Sequence, residues 1–194
     1  MIAGLVLSWP STPEIMFSDD DRLDVFPHED DPVLISMIAM GRRVHRVLVD
    51  QGSSTDVMFW STFTGLGIPF DQLRPFDGVL VGFSSDPVEV KGYVDLRTTF
   101  TDGDASKTIT ICYVVVQAPS SYNVLVGRPS LNQLEAIVST VYLKVKFPTK
   151  DGKVATLKVD QATARKCYEN SLKIRRTAYT IAVSPEESPP EPEP

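Results

Sequence analysis

An all-β barrel with one or two short helices and disordered termini is the fold this sequence predicts, and three observations predict it. Apolar residues recur with a period of two, as where Val141, Leu143, Val145 and Phe147 alternate with Tyr142, Lys144 and Lys146. Turn signals such as Met40-Gly41-Arg42, Asp102-Gly103-Asp104 and Asp151-Gly152 cut these runs into short strands of even spacing. The run Val47-Leu48-Val49 is apolar on both faces and ends at Asp50-Gln51-Gly52-Ser53, so a strand made for a packed sheet carries a carboxylate to its tip.

In chain order, residues 1–30 read as an irregular acidic lead-in, with Trp9-Pro10 and Phe26-Pro27 favouring extended backbone. A domain over 31–160 follows. Residues 33–38 form a strand, 40–42 a turn and 44–49 the returning strand that delivers Asp50. Residues 56–64 begin with an acid and are followed by Gly65, which predicts a short helix. Residues 78–83 and 88–96 are two arms of a hairpin whose tip, Ser84-Ser85-Asp86-Pro87, is polar and flanked by glycines, as a mobile flap requires. A further strand covers 96–100. Residues 108–116 place Ile109, Ile111, Tyr113 and Val115 on one face, and 122–126 is a buried strand. Pro129 fits the first turn of a helix over 129–135. Strands at 141–147 and 154–159 close the domain, a last helix is expected within 161–175, and the Pro/Glu-rich 176–194 reads as a disordered tail.

Composition narrows the function. At 194 residues and 42% hydrophobic content the chain suffices for one packed domain, without an internal repeat to supply a second lobe. A net charge of −6 gives nucleic-acid binding no electrostatic support, and Lys144 and Lys146 read as the solvated face of an amphipathic strand. Cys112 and Cys167 are far apart without Cys-x-x-Cys spacing, which excludes a zinc knuckle and suits two reduced thiols. Residues 2–7 are apolar but lack a basic flank and are too few for a membrane span, so a soluble cytoplasmic protein is expected. His28 and His45, the only histidines, accompany no nucleophile elbow, and no glycine-rich phosphate loop is present.

What remains is Asp50. Gly52, two residues on, lets backbone N–H groups approach the carboxylate closely, so the acid is held rigid and partly desolvated. The bland alternative is an ordinary turn acid at a strand end.

An ordered series of short motifs decides between them. Pro27-His28-Glu29-Asp30-Asp31-Pro32, Arg46-Val47-Leu48-Val49-Asp50-Gln51-Gly52-Ser53-Ser54, Gly65-Leu66-Gly67 and Leu80-Val81-Gly82-Phe83 come first. Tyr122-Asn123-Val124-Leu125-Val126-Gly127-Arg128-Pro129, Ser139-Thr140, Lys146-Phe147-Pro148-Thr149, Asp160-Gln161, Ala164-Arg165 and Cys167-Tyr168 follow. From about residue 18 to residue 172 the chain resembles the protease region of gypsy-type LTR-retrotransposon Gag-Pol polyproteins of the plant type. The resemblance implies a retropepsin-like half-barrel, the acid protease fold, working as a homodimer on peptide or polyprotein substrate, without cofactor, metal, nucleic acid or membrane, in the cytoplasm or in retrotransposon particles. It makes Asp50 half of a catalytic dyad, with Gly52 giving its N–H to the carboxylate and Ser53 in the surrounding hydrogen-bond shell. Phe83, Ser84, Ser85 and Asp86 become the flap over substrate. Gly127 becomes the glycine of the second core loop, passing close to the active-site turn, and Arg128 either pairs with an acid near the dimer interface or is a surface arginine. Position 51 departs from the pattern: the family usually carries Thr or Ser there, and Gln51 is longer, with more rotamer freedom. Two readings follow, an aspartic endopeptidase and a catalytically inactive remnant that dimerises or grips peptides.

Overall fold

The computed structural model describes residues 12–27, 30–76 and 88–182, with side chains described up to 174. Strands β1 (Leu34–Ala39), β2 (Arg42–Val49), β3 (Asp56–Phe59), β4 (Glu89–Thr101), β5 (Ser106–Gln117) and β6 (Val124–Val126) close into a barrel in the order β1-β2-β6-β3-β5-β4. A separate antiparallel sheet holds β7 (Ile137–Ser139), β8 (Lys144–Pro148) and β9 (Val154–Lys158). Helices α1 (Trp60–Leu66), α2 (Arg128–Leu134) and α3 (Gln161–Ala182) complete the chain. A mostly β barrel is therefore what the strands build, as expected, with two short helices and a third, longer one.

The alternation in β5 works as the sequence suggests. Ile109, Ile111, Tyr113 and Val115 all enter the main core, with Met37, Met58, Phe63, Phe100 and Phe147 among its fully buried side chains. The opposite face is exposed at Thr108, Thr110 and Cys112 and covered towards the end of the strand. Val114 and Val116 join Val57 in a second apolar cluster, with Phe76, Val88 and Leu125 packed against it.

Three expectations need correction. Residues 56–59 are strand β3, and the helix begins only at Trp60. The reason is placement: β3 lies between β5 and β6, so Met58 points into the main core and Val57 into the second cluster, and an extended backbone buries both. The helix also stops later, at Gly67, whose φ of 70° is the left-handed turn glycine accommodates.

Lys144 and Lys146 are not a solvated face. Lys144 is 3% exposed, its ammonium donating to Asp24 Oδ1 at 2.7 Å and to the Asp21 carbonyl oxygen, while Lys146 Nζ meets Asp21 Oδ2 at 2.8 Å. Their partners belong to the lead-in, which for residues 16–26 lies across the β7–β9 sheet. Its acids form a 3-10 turn, Asp19–Arg22, in which Asp21 also accepts the Ser18 N–H; Phe17 stacks on Tyr142 at 5.3 Å. Strand β8 accordingly starts at Lys144, leaving Val141 exposed in the preceding turn.

The C-terminal helix runs to Ala182 where the sequence suggested 175, since residues 175–182 contain neither glycine nor proline. Ala164 and Cys167 seat it on Leu34, with Leu48 and Tyr122 alongside. Among the described residues no helix is long and apolar enough to cross a membrane.

Candidate active site

Strand β2 runs parallel to β6, pairing Val47 with Val124 and Val49 with Val126. The ladder continues one step past β2, with Asp50 N–H donating to the Val126 carbonyl at 2.9 Å, so Asp50 leaves the sheet in a fixed direction. Its backbone then turns: Ser53 N–H donates to the Asp50 carbonyl at 3.2 Å, and Gly52 N–H donates to Asp50 Oδ1 at 2.9 Å. A side chain on Gly52 would place Cβ 3.2 Å from that same oxygen, so glycine permits this approach. The Asp50 carboxyl is half-buried, with Gln51 and Gly52 exposed beside it.

The Ser53 hydroxyl turns away from the Asp50 carboxyl. It donates to the Thr55 carbonyl at 2.8 Å and stiffens the far side of the turn. Gly127 and Arg128 approach from the end of β6. A Cβ on Gly127 would lie 2.4 Å from the Thr55 carbonyl oxygen and 3.0 Å from that of Ser53. Arg128 donates its backbone N–H to the Ser53 carbonyl at 3.0 Å, and its guanidinium Nη1 to the carbonyls of Gly52 at 3.0 Å and Gln51 at 3.4 Å. Arg128 is exposed, as a surface arginine would be, and within the chain its guanidinium grips main-chain carbonyls of the turn. The flap residues Phe83, Ser84, Ser85 and Asp86 lie outside the described residues, as does His28.

One residue of this neighbourhood escaped the sequence reading. Asp56, first in β3, is 3% exposed and accepts the Gly127 N–H at 2.8 Å. Burial pushes its pKa up, against the opposing pull of hydrogen bonding from Gly127 and Ser130. The signal available was Val57-Met58-Phe59 directly after it, an apolar run that suits a strand as well as a helix. Among the described residues no group of three or more His, Cys, Asp or Glu side chains stands together to hold a metal ion.

The arrangement presents one half-buried carboxyl at a strand tip, aligned by a backbone N–H and backed by a second loop. No family model matches this chain, and no curated protein matches it. Among solved structures, the retroviral protease-like domain of Ddi1 from Leishmania major superposes with a TM-score of 0.50 at 11% identity, over 69% of this chain and 93% of that one. The fold is that of the retropepsin-like proteases. Two further matches are EIAV protease complexed with the inhibitor HBY-793 and a retropepsin-like aspartic protease from Rickettsia conorii. The first has a TM-score of 0.42 at 19% identity over 59% of this chain and 98% of that chain. The second has 0.41 at 13% over 64% and 80%.

Proposed function

We propose that the chain is an aspartic endopeptidase of a retrotransposon polyprotein, active as a homodimer in the cytoplasm or in particles formed there. The observation that carries this reading is Asp50 at the tip of β2, held by Gly52 N–H at 2.9 Å in a retropepsin-like barrel that offers one such acid among the described residues. In the dimer two Asp50 carboxyls meet across the two-fold axis, too close for both to ionise. They work as a pair with one proton between them. One takes a proton from the attacking water while the other donates to the peptide carbonyl oxygen.

Substrate binding by strand addition between flap and barrel suits a chain whose second apolar cluster, Val57, Val114 and Val116, is joined by Phe76 and Val88, the residues bracketing 77–87. The order of motifs from residue 27 to residue 168 supports the retrotransposon origin.

The test is cleavage of a peptide library by purified protein between acidic and neutral pH. Asp50→Asn should reduce proteolysis to background with the fold intact, chelators should have no effect, and specific activity should rise with protein concentration. Residual cleavage by the Asn variant, or constant specific activity in a strict monomer, would sink the proposal. A dimer that cleaves nothing would favour the second reading, an inactive dimerising or peptide-binding remnant, for which Gln51 in place of Thr or Ser is the supporting observation.

A further inference from the structure

Traced outward, the contacts that hold the Asp50 turn lead to a second carboxyl. The clamp on the turn is Arg128, through its N–H to Ser53 O and its guanidinium to Gly52 O. Arg128 opens α2, and the residue before it, Gly127, gives its N–H to Asp56. Asp56 closes the loop, because residues 50 and 56 are the two ends of the turn being held. Ser130, in the first turn of α2, is 1% exposed and also acts on the Asp56 carboxyl, so the start of α2 bears on this acid as well.

An acid this deeply buried is costly unless something depends on it. Steric need alone does not account for it, since β3 carries apolar side chains at its next three positions. We infer that Asp56 is a positioning residue: by fixing the Gly127 N–H it sets the Gly127-Arg128 segment against Ser53 and Thr55, and so holds the Arg128 clamp and the Gly52 N–H that orients Asp50.

The geometry asks for an acceptor in this place: one Asp56 oxygen takes the Gly127 N–H at 2.8 Å. A carboxamide keeps that acceptor in its C=O. Asp56→Asn therefore conserves the positioning, whereas Asp56→Leu, of similar size, removes the acceptor.

The catalytic consequence rests on the endopeptidase reading, but the positioning can be measured without it. In site-resolved amide exchange, Asp56→Leu should raise the rates at Gly52, Gly127 and Arg128 by about tenfold or more, the loss of roughly one hydrogen bond, relative to amides of β1 and β4 in the same sample. Asp56→Asn should leave them within about twofold. In an active enzyme the Leu variant should lower kcat with KM retained, and the Asn variant should restore kcat. If the parent cleaves nothing but exchange follows this pattern, the endopeptidase reading fails and Asp56 keeps its role. Unchanged exchange at Gly52 and Arg128 in a folded Leu variant, or a rise equal to that of β1 and β4, overturns the inference. Should the Leu variant not fold, the parent decides: the role requires Gly52, Gly127 and Arg128 to open together with one common protection factor, and Gly52 exchanging independently of Gly127 refutes it.

Discussion

Gly127→Ala offers the sharpest test of how the two loops are locked, because its effect can be worked out from distances alone. The backbone at Gly127 has φ −93° and ψ −173°, an extended conformation open to any residue, so alanine brings no conformational penalty. The penalty is contact. The new Cβ would sit 2.4 Å from the Thr55 carbonyl oxygen and 3.0 Å from the Ser53 oxygen, and both are main-chain atoms that cannot swing aside. Relief requires the two segments to part by about 1 Å, which carries the bonds Gly127 N–H to Asp56 (2.8 Å), Arg128 N–H to Ser53 (3.0 Å) and Arg128 Nη1 to Gly52 (3.0 Å) out of hydrogen-bond range. Three bonds at about 1 kcal/mol each, plus about 1 kcal/mol for an Asp56 left buried and unpaired, give a loss of about 4 kcal/mol. A domain of this size has about 5–15 kcal/mol to lose. Urea denaturation should show the midpoint falling by roughly 2 M at an ordinary slope of about 2 kcal/mol per M. Gly65→Ala is the control: nothing lies within 4 Å of its Cβ, and as an exposed residue of α1 it should gain about 0.5–1 kcal/mol. A Gly127→Ala protein within about 1 kcal/mol of the parent would refute the lock.

Two further outcomes concern the lead-in. Lys144→Met should destabilise the domain by about 2 kcal/mol in urea titration, since Asp24 loses its buried partner while keeping Lys158, and Asp21 keeps Lys146; adding Asp24→Asn should recover part of that loss. Hydrogen bonds from Lys144 and Lys158 lower the Asp24 pKa to about 2, so its stabilising contribution is complete above the unfolded value near 3.8 and is lost as pH falls through about 2. Asp24 is 40% exposed, so solvent screening leaves about 1 kcal/mol, seen as the difference in acid unfolding between parent and Asp24→Asn. Asp56 has the opposite sign: its raised pKa makes the folded state bind more protons than the unfolded one above pH 3.8, so this group takes stability away as pH rises towards its folded pKa, and Asp56→Asn should flatten that slope.

The parts of the fold legible in the sequence are those set by neighbours along the chain. The β5 alternation, the Pro129 start of α2 and the Asp50 to Gly52 turn all involve residues within a few positions of one another. The illegible parts are pairings across long separations. Nothing local distinguishes Lys144 on β8 from a solvated lysine, because its partner acids precede it by 120 residues or more. Gly127 to Asp56 spans 71 positions and Arg128 to Gly52 spans 76, so the lock around the turn appears only once β6 lies between β2 and β3. The start of helix α1 is hidden for a different reason. Its N-cap is Phe59, which makes no side-chain cap, and the acid that resembles a cap belongs to the strand before it.

Gln51 can now be judged on structural grounds. The hydrogen bonds that tie residues 51–53 to Asp50 and Arg128 use main-chain atoms of those three residues: Gly52 N, Ser53 N, Ser53 O, Gly52 O and Gln51 O. The Gln51 side chain is exposed and takes no part in them. Exchanging it should therefore leave the folded monomer alone and act only where a second chain meets the turn. Gln51→Thr should keep the urea midpoint of the monomer within about 0.5 kcal/mol of the parent. In sedimentation it should tighten dimerisation by roughly tenfold, since a short β-branched side chain surrenders less rotamer freedom on forming a cross-chain hydrogen bond worth about 1 kcal/mol per subunit. Turnover at a fixed low protein concentration should rise with the dimer fraction. If the threonine variant unfolds earlier, the turn depends on the glutamine side chain and the main-chain account of it is wrong; if it dimerises more tightly yet loses activity the parent has, Gln51 is an adapted part of the site rather than a weak substitute.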